Sequence, residues 1–140
     1  MSTTTTRTAH ATMSFTDWQE DPGWDTGAPL PRLAQATVTF TYEGDLNATS
    51  SCRYTLSYGT DGEGSAVGFE AVSGTLDGRA GSFVLRHDAA FTANGVAYTF
   101  TVVPGSGLGE LEGLVGEGTC TAEHGAEASA WSLTYQHQEG

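Results

Sequence analysis

Two titratable side chains, His87 and Glu70, are the candidates for acid–base chemistry in this sequence. Around His87, apolar and polar residues alternate with a period of two, so a strand would place the imidazole on the face shared by Phe83 and Leu85. An imidazole titrates near neutral pH and can act there as a general base or as a polar anchor for a ligand. The alternative is a core histidine satisfied by a tyrosine hydroxyl or a backbone carbonyl. Asp88 faces the opposite side of such a strand and therefore does not orient His87.

Glu70 lies between Phe69 and Ala71, and the pattern leaves open which face of the sheet it occupies. If Glu70 points inward, apolar surroundings would raise the pKa of its carboxyl and make it a candidate acid or base. If it points outward, it is one more solvated carboxylate in an acid-rich protein.

Aromatic hydroxyl groups accompany these two residues, because all five tyrosines align with the apolar faces of their segments. A tyrosine offers a ligand an apolar body and one polar hydroxyl, although ordinary core packing explains such residues equally well. The predicted ligand-lining residues are Tyr42, Tyr54, Tyr58, Tyr98, Tyr135, Trp131, Phe83, Leu85 and Cys52.

The elements that must position these side chains are β-strands, since no stretch sustains helical periodicity and period-two alternation recurs throughout. The alternation predicts about eight strands, near 9–16, 35–42, 46–58, 65–75, 82–91, 96–103, 115–122 and 128–136. Turn dipeptides such as Asp77-Gly78 and Asn94-Gly95 join neighbours as antiparallel hairpins. Closing the sheet removes its two exposed edges, so we expect an all-β, closed, antiparallel up-and-down barrel forming a single domain over residues 1–140.

Two segments depart from the pattern. Residues 17–31 carry Trp18 and Trp24 among Pro, Gly and acidic residues, and we expect an irregular loop that covers one barrel mouth as a lid or fills it as a plug. The glycine-rich run 104–118 lacks the register and the strand-then-helix context of a nucleotide-binding motif. We expect it to be a bulged, sharply bent strand at a barrel corner.

The composition limits the classes of partner. The chain has 140 residues, enough for one core, and its net charge of -12, with five arginines and no lysine, argues against nucleic acids and anionic membranes as partners. Two distant cysteines do not form a disulfide framework, and scattered histidines offer no metal-ligand spacing, so we expect neither cofactor nor metal. The first residues lack an apolar signal region, which favours a cytoplasmic, bacterial protein.

The runs 68–70, 73–87 and 103–118, with the opening segment 11–20 and the closing segment 131–135, resemble a bacterial domain-of-unknown-function family with an allene-oxide-cyclase-like barrel. That resemblance covers nearly the whole chain and implies the barrel fold. It carries no agreed activity. Barrels of similar shape include cyclases that bind apolar substrates inside and guide their ring closure, which is an analogy at the level of the fold.

We therefore expect a barrel that binds a small, largely apolar molecule, and as a sharper hypothesis a cofactor-free cyclase or isomerase in which His87, Glu70 or a tyrosine transfers one proton. The alternatives are a non-enzymatic binding or scavenging barrel and a structural homo-oligomer whose barrel is filled. A homodimer is the expected assembly.

Overall fold

The computed structural model describes residues 6–21, 29–61, 63–92, 95–123 and 129–137, and within these ranges the protein is all-β. No segment of the described chain forms a helix that could cross a bilayer. The strands are β1 Arg7–Asp21, β2 Arg32–Gly44, β3 Leu46–Tyr58, β4 Gly64–Leu76, β5 Arg79–Thr92, β6 Gly95–Val102, β7 Leu108–Gly109, β8 Leu114–Glu123 and β9 Ser129–His137.

The eight long strands close into one antiparallel barrel. Each pairs with its neighbours along the chain, in the order β1-β2-β3-β4-β5-β6-β8-β9, and β9 returns to pair with β1. The two-residue β7 adds to the edge of β5. This confirms the predicted up-and-down barrel, and closure leaves the long strands paired on both sides over most of their length.

Strand alternation decides which side chains enter the barrel. On β3, for example, Cys52, Tyr54 and Leu56 are buried while Arg53 and Thr55 are exposed. The buried faces of the eight long strands form one continuous apolar core. The carboxyl group of Glu70 and the imidazole of His87 lie within it.

The Asp77–Gly78 turn sets the register of β4 against β5. Both residues have positive φ, 49° and 82°, as a two-residue type I′ hairpin requires. The turn pairs Leu76 with Arg79, and counting back along both strands opposes Glu70 to Leu85. The hairpin therefore brings Glu70 to the same face as Leu85.

The β6–β8 connection closes the barrel end near this turn, which we call the turn end. The predicted bent strand over 104–118 is wrong, because the chain forms turns around the short β7 before β8 begins at Leu114. Leu111 projects from these turns into the core and is fully buried with Leu46 and Leu76. The turn end is thus filled by leucine side chains.

The opposite end is covered by an extension of β1. The pairing of β1 with β9 stops at Met13, and in the described part of the chain residues 14–21, which we call the overhang, pair only with β2. The expectation of an irregular loop from residue 17 is therefore wrong as far as Asp21. Phe15 continues the alternation of the buried residues Ala11 and Met13 but is 58% exposed, because β9 no longer flanks it. Trp24 lies outside the described residues.

Candidate active site

His87 and Glu70 contact each other inside the barrel. His87 Nε2 lies 2.6 Å from Glu70 Oε1, and both residues have 0% exposure. Glu70 thus points inward, which answers the question that the sequence pattern left open. His87 is buried on the same face of β5 as Phe83 and Leu85, as the alternation predicts, and its partner comes from the adjacent strand β4.

Hydroxyl groups occupy the second oxygen of Glu70. Tyr42 and Ser50 both donate hydrogen bonds to Glu70 Oε2, from strands β2 and β3. With His87 Nε2–H on Oε1, donors meet both oxygens of the carboxylate, as a buried carboxylate needs. Ser50 was not singled out from the sequence, although its place on the buried face of β3 was the signal that could have identified it.

The second ring nitrogen of His87 contacts Tyr54. The hydroxyl oxygen of Tyr54 lies 2.7 Å from His87 Nδ1. When the ring is neutral with its proton on Nε2, Tyr54 donates to Nδ1; when the ring is protonated, Nδ1–H donates to the Tyr54 oxygen. Carboxylate, imidazole and hydroxyl therefore form one chain in the order used by catalytic triads, with a phenol in the terminal position.

Aromatic rings hold this chain in place. Tyr98 stacks on the His87 ring at a centroid distance of 4.5 Å and an angle of 17°, and Phe40 lies parallel at 6.3 Å. Trp131 stacks on Phe100 at 5.2 Å. Stacking fixes the plane of the imidazole and so the direction in which each nitrogen points.

Inside the core, the Tyr98 hydroxyl and the Trp131 indole N–H reach no oxygen or nitrogen acceptor among the described residues. The Tyr98 hydroxyl lies beside the Cys120 thiol and acts to lower its pKa as a weak hydrogen-bond donor does, but it reaches no oxygen or nitrogen acceptor. Buried donors of this kind are normally met by a protein group, a water or a guest molecule.

The remaining predicted lining residues are distributed along the barrel. Phe83, Leu85 and Cys52 are buried in the core. Tyr58 and Tyr135 lie towards opposite ends, where the Tyr58 hydroxyl donates to Glu20 Oε2 at 2.6 Å and the Tyr135 hydroxyl donates to Asp77. The structure therefore brings Tyr42 and Tyr54 onto the His87–Glu70 pair and leaves Tyr58 and Tyr135 away from it.

The overhang contacts Tyr54 through Trp18. The Trp18 ring is 6.2 Å from the Tyr54 ring, and its indole N–H donates to Glu20 Oε1 at 3.2 Å. Because Glu20 also accepts from Tyr58, it ties the overhang to the rim of the barrel. Sequence reasoning missed Glu20, since it treated this stretch as a loop.

The described residues contain no cluster of three or more His, Cys, Asp or Glu side chains that could hold a metal ion. The two cysteines are buried free thiols.

Alkaline pH should destabilise the barrel. Burial raises the pKa of Cys120 to about 11 and of Cys52 and Tyr135 to about 12, and it raises the pKa values of the other four tyrosines above 10. Because the unfolded chain ionises first, these groups contribute fully to the free energy of unfolding below pH 9. That contribution falls as the pH rises towards 12.

Urea unfolding at a series of pH values, combined with tyrosinate absorbance at 295 nm, measures this effect. We expect the folded protein to show almost no tyrosinate at pH 10, whereas the unfolded chain is half ionised there. Tyrosinate formation by the folded protein at pH 10 would contradict the expectation.

The comparisons with known proteins agree with this fold. A family model described as "Protein of unknown function (DUF3224)" matches residues 9–135. A crystal structure of a protein with unknown function from the DUF3224 family, from Shewanella oneidensis MR-1, is 27% identical and superposes with a TM-score of 0.77. That alignment covers 99% of this chain and 100% of the other. No curated protein matches the sequence.

Proposed function

This chain belongs to the DUF3224 family of proteins of unknown function, and we propose that it binds a small, largely apolar molecule in its barrel and isomerises or cyclises it by proton transfer through Tyr54. The single observation that carries the proposal is the buried chain of hydrogen bonds from Glu70 through His87 to Tyr54. A carboxylate, an imidazole and a hydroxyl in this order form a relay that moves one proton to its terminal group.

Tyr54 is the proton donor to the substrate. Burial, and then the neighbouring Cys52, raise the pKa of Tyr54 far above its ordinary value, so the phenol stays protonated at neutral pH. When His87 is protonated, its Nδ1–H donates to the Tyr54 oxygen and frees the Tyr54 proton for a substrate oxygen. As that proton leaves, Tyr54 takes the proton of His87, and Glu70 holds the ring in orientation throughout.

The interior defines the substrate class. Aromatic rings surround His87, so the body of the substrate is apolar. The donors on Tyr98 and Trp131, which reach no oxygen or nitrogen acceptor, fit one or two acceptor oxygens of a ligand, such as those of a carbonyl compound or an epoxide. Isomerisation or ring closure of such a compound returns the proton that it borrows, so the chain's own residues suffice for the proton balance.

The overhang is the entrance. Residues 14–21 have only β2 as a neighbouring strand in the described structure, whereas the other long strands are paired on both sides over most of their length. Local opening is easiest where the fewest backbone contacts must break. Displacing the overhang removes Trp18 from Tyr54 and gives a substrate access to the phenol. The free thiols of Cys52 and Cys120 fit the reducing cytoplasm as the compartment.

A non-enzymatic binding barrel is the second candidate. The full burial of Glu70 and His87 and the complete set of donors on the carboxylate favour it, because both are also properties of a structural polar network. The two functions differ in whether the Tyr54 hydroxyl is needed for turnover or the barrel only binds the molecule.

Replacing the Tyr54 hydroxyl should therefore abolish turnover while preserving binding. The first step is native mass spectrometry of the purified protein and identification of any extracted ligand. A thermal-shift screen with apolar ketones, epoxides and acids follows, and stabilising compounds are incubated and analysed by NMR for isomerisation. We expect Tyr54→Phe to reduce the rate by about 100-fold or more, the usual contribution of a general acid.

The matched control is Tyr135→Phe, which removes a hydroxyl at the turn end. We expect this variant to retain the wild-type rate, and His87→Ala and Glu70→Gln to be inactive. Binding without turnover in the wild-type protein would support the binding barrel instead. Equal rates in Tyr54→Phe and wild type would refute the relay.

A further inference from the structure

An exposed aromatic ring lies between two arginines on the outer wall of the barrel. The register of β3, β4 and β5 places Arg53 opposite Phe69 and Phe69 opposite Arg86, so the three side chains lie side by side on neighbouring strands. Phe69 is 57% exposed, and Val67, two residues away on the same face, is 50% exposed. We call Arg53, Phe69 and Arg86 the Arg–Phe–Arg row.

This row forms one wall of a depression of about 940 Å³. Tyr54 and Gly68 also line the depression, and because residues of their parity face inward, they present backbone as its floor. Thr55 and Val67 stand on the opposite side of that floor. The size suits a small organic molecule lying flat across the strands.

The two guanidinium groups are available to a ligand. In the described part of the chain, no ion pair joins Arg53 or Arg86 to a carboxylate. Of the acidic residues nearby, Glu20 is bonded to Trp18 and Tyr58, Asp21 lies at the β1 side of the depression, and Asp88 stands opposite Val67. Two of the five arginines of a chain with net charge -12 thus flank one aromatic ring, and neither forms an ion pair with a described carboxylate.

We propose that the Arg–Phe–Arg row binds a singly charged carboxylate with a flat apolar body. A guanidinium fork matches the two oxygens of a carboxylate, and a phenylalanine face accepts an aromatic or conjugated body by stacking. The net charge of -12 disfavours polyanions such as nucleic acids, and it also disfavours a second copy of this acidic chain. This outer site is separate from the interior, since Phe69 and both arginines face away from His87.

Calorimetric titration with 2-naphthoate tests the proposal, with 2-naphthamide as the uncharged ligand of the same shape. The double variant Arg53→Gln/Arg86→Gln removes the forks, and Arg7→Gln/Arg79→Gln makes the same charge change at two exposed arginines outside the depression. We expect the first variant, and also Phe69→Thr, to bind 2-naphthoate at least about tenfold more weakly, and the control to stay within about twofold of wild type. The amide should bind at least about tenfold more weakly than the acid.

Several results would overturn the site. One is wild-type protein that fails to bind 2-naphthoate; another is equal weakening in both arginine double variants, which would indicate a general charge effect. Loss of binding in Tyr54→Phe, with none in Arg53→Gln/Arg86→Gln, would place the ligand inside the barrel. Sedimentation measures the assembly state of both proteins. A wild-type dimer and a monomeric Phe69→Thr variant would show that a second copy covers the row.

Discussion

Replacing Glu70 with alanine should lower the free energy of unfolding by about 3–5 kcal/mol, the usual loss when one partner of a buried ion pair is removed. The change leaves three buried donors without an acceptor, on Tyr42, Ser50 and His87. Because no exposure is available to any atom of Glu70 or His87, water cannot replace the carboxylate without opening the barrel.

Urea unfolding measures this loss directly. Glu117→Ala is the matched control, since Glu117 is exposed on the outer face of β8 and its loss should change stability by less than about 0.5 kcal/mol. Glu70→Gln keeps the side-chain volume and one acceptor oxygen, so it should fold and lose less than Glu70→Ala. A loss for Glu70→Ala no larger than that of the control would show that the network does not stabilise the barrel.

Gly68→Ala should destabilise the barrel by about 3 kcal/mol, the upper end of the range for overpacking. A Cβ at this position would lie 2.1 Å from the carbonyl oxygen of Arg53 and 2.8 Å from the Tyr54 ring. The backbone carbonyl cannot rotate away without breaking the pairing of β3 with β4. Gly68 is also opposite His87, so the same shift would separate Tyr54 from the imidazole.

The contrasting variant is Gly78→Ala in the hairpin turn. A Cβ at Gly78 meets nothing within 4 Å, but the residue has φ of 82°, so alanine there should cost only about 1–2 kcal/mol of left-handed strain. Thermal unfolding of both variants tests the difference. Equal destabilisation of the two would refute the claim that close packing at Gly68, rather than glycine conformation, limits that site.

The fold was predictable because its signals are local. Alternation on β2 and β3 and the Asp77–Gly78 turn specify strands and hairpins within a few residues of sequence. The overhang was not predictable, because it depends on where β9 stops pairing with β1, more than a hundred residues away. The β6–β8 connection was also missed, since its glycines permit a bent strand and a set of turns equally well.

The candidate site was predictable only in part. The inward orientation of His87 follows from its alternation with Phe83 and Leu85. The orientation of Glu70 was ambiguous, because Phe69 on the outward face of β4 is more hydrophobic than Gly68 on the inward face. Counting pairs outward from the Asp77–Gly78 turn resolves the question, since it opposes Glu70 to the core residue Leu85. Contact between Glu70 and Tyr42 lies beyond such counting, because it spans the interior of a closed barrel.

The seam between β1 and β9 has a consequence for how the chain folds. Arg7 pairs with Tyr135, so a chain emerging from the ribosome keeps an unpaired edge on β1 until the last strand is synthesised. Closure must then join residues far apart in sequence, which makes folding slow by the contact-order rule. The same adjacency makes the protein a good subject for circular permutation: a short linker across the seam, with new termini in the β3–β4 turn, would make the β9–β1 pairing a local hairpin and move the closing step to the β3–β4 pairing, which is longer.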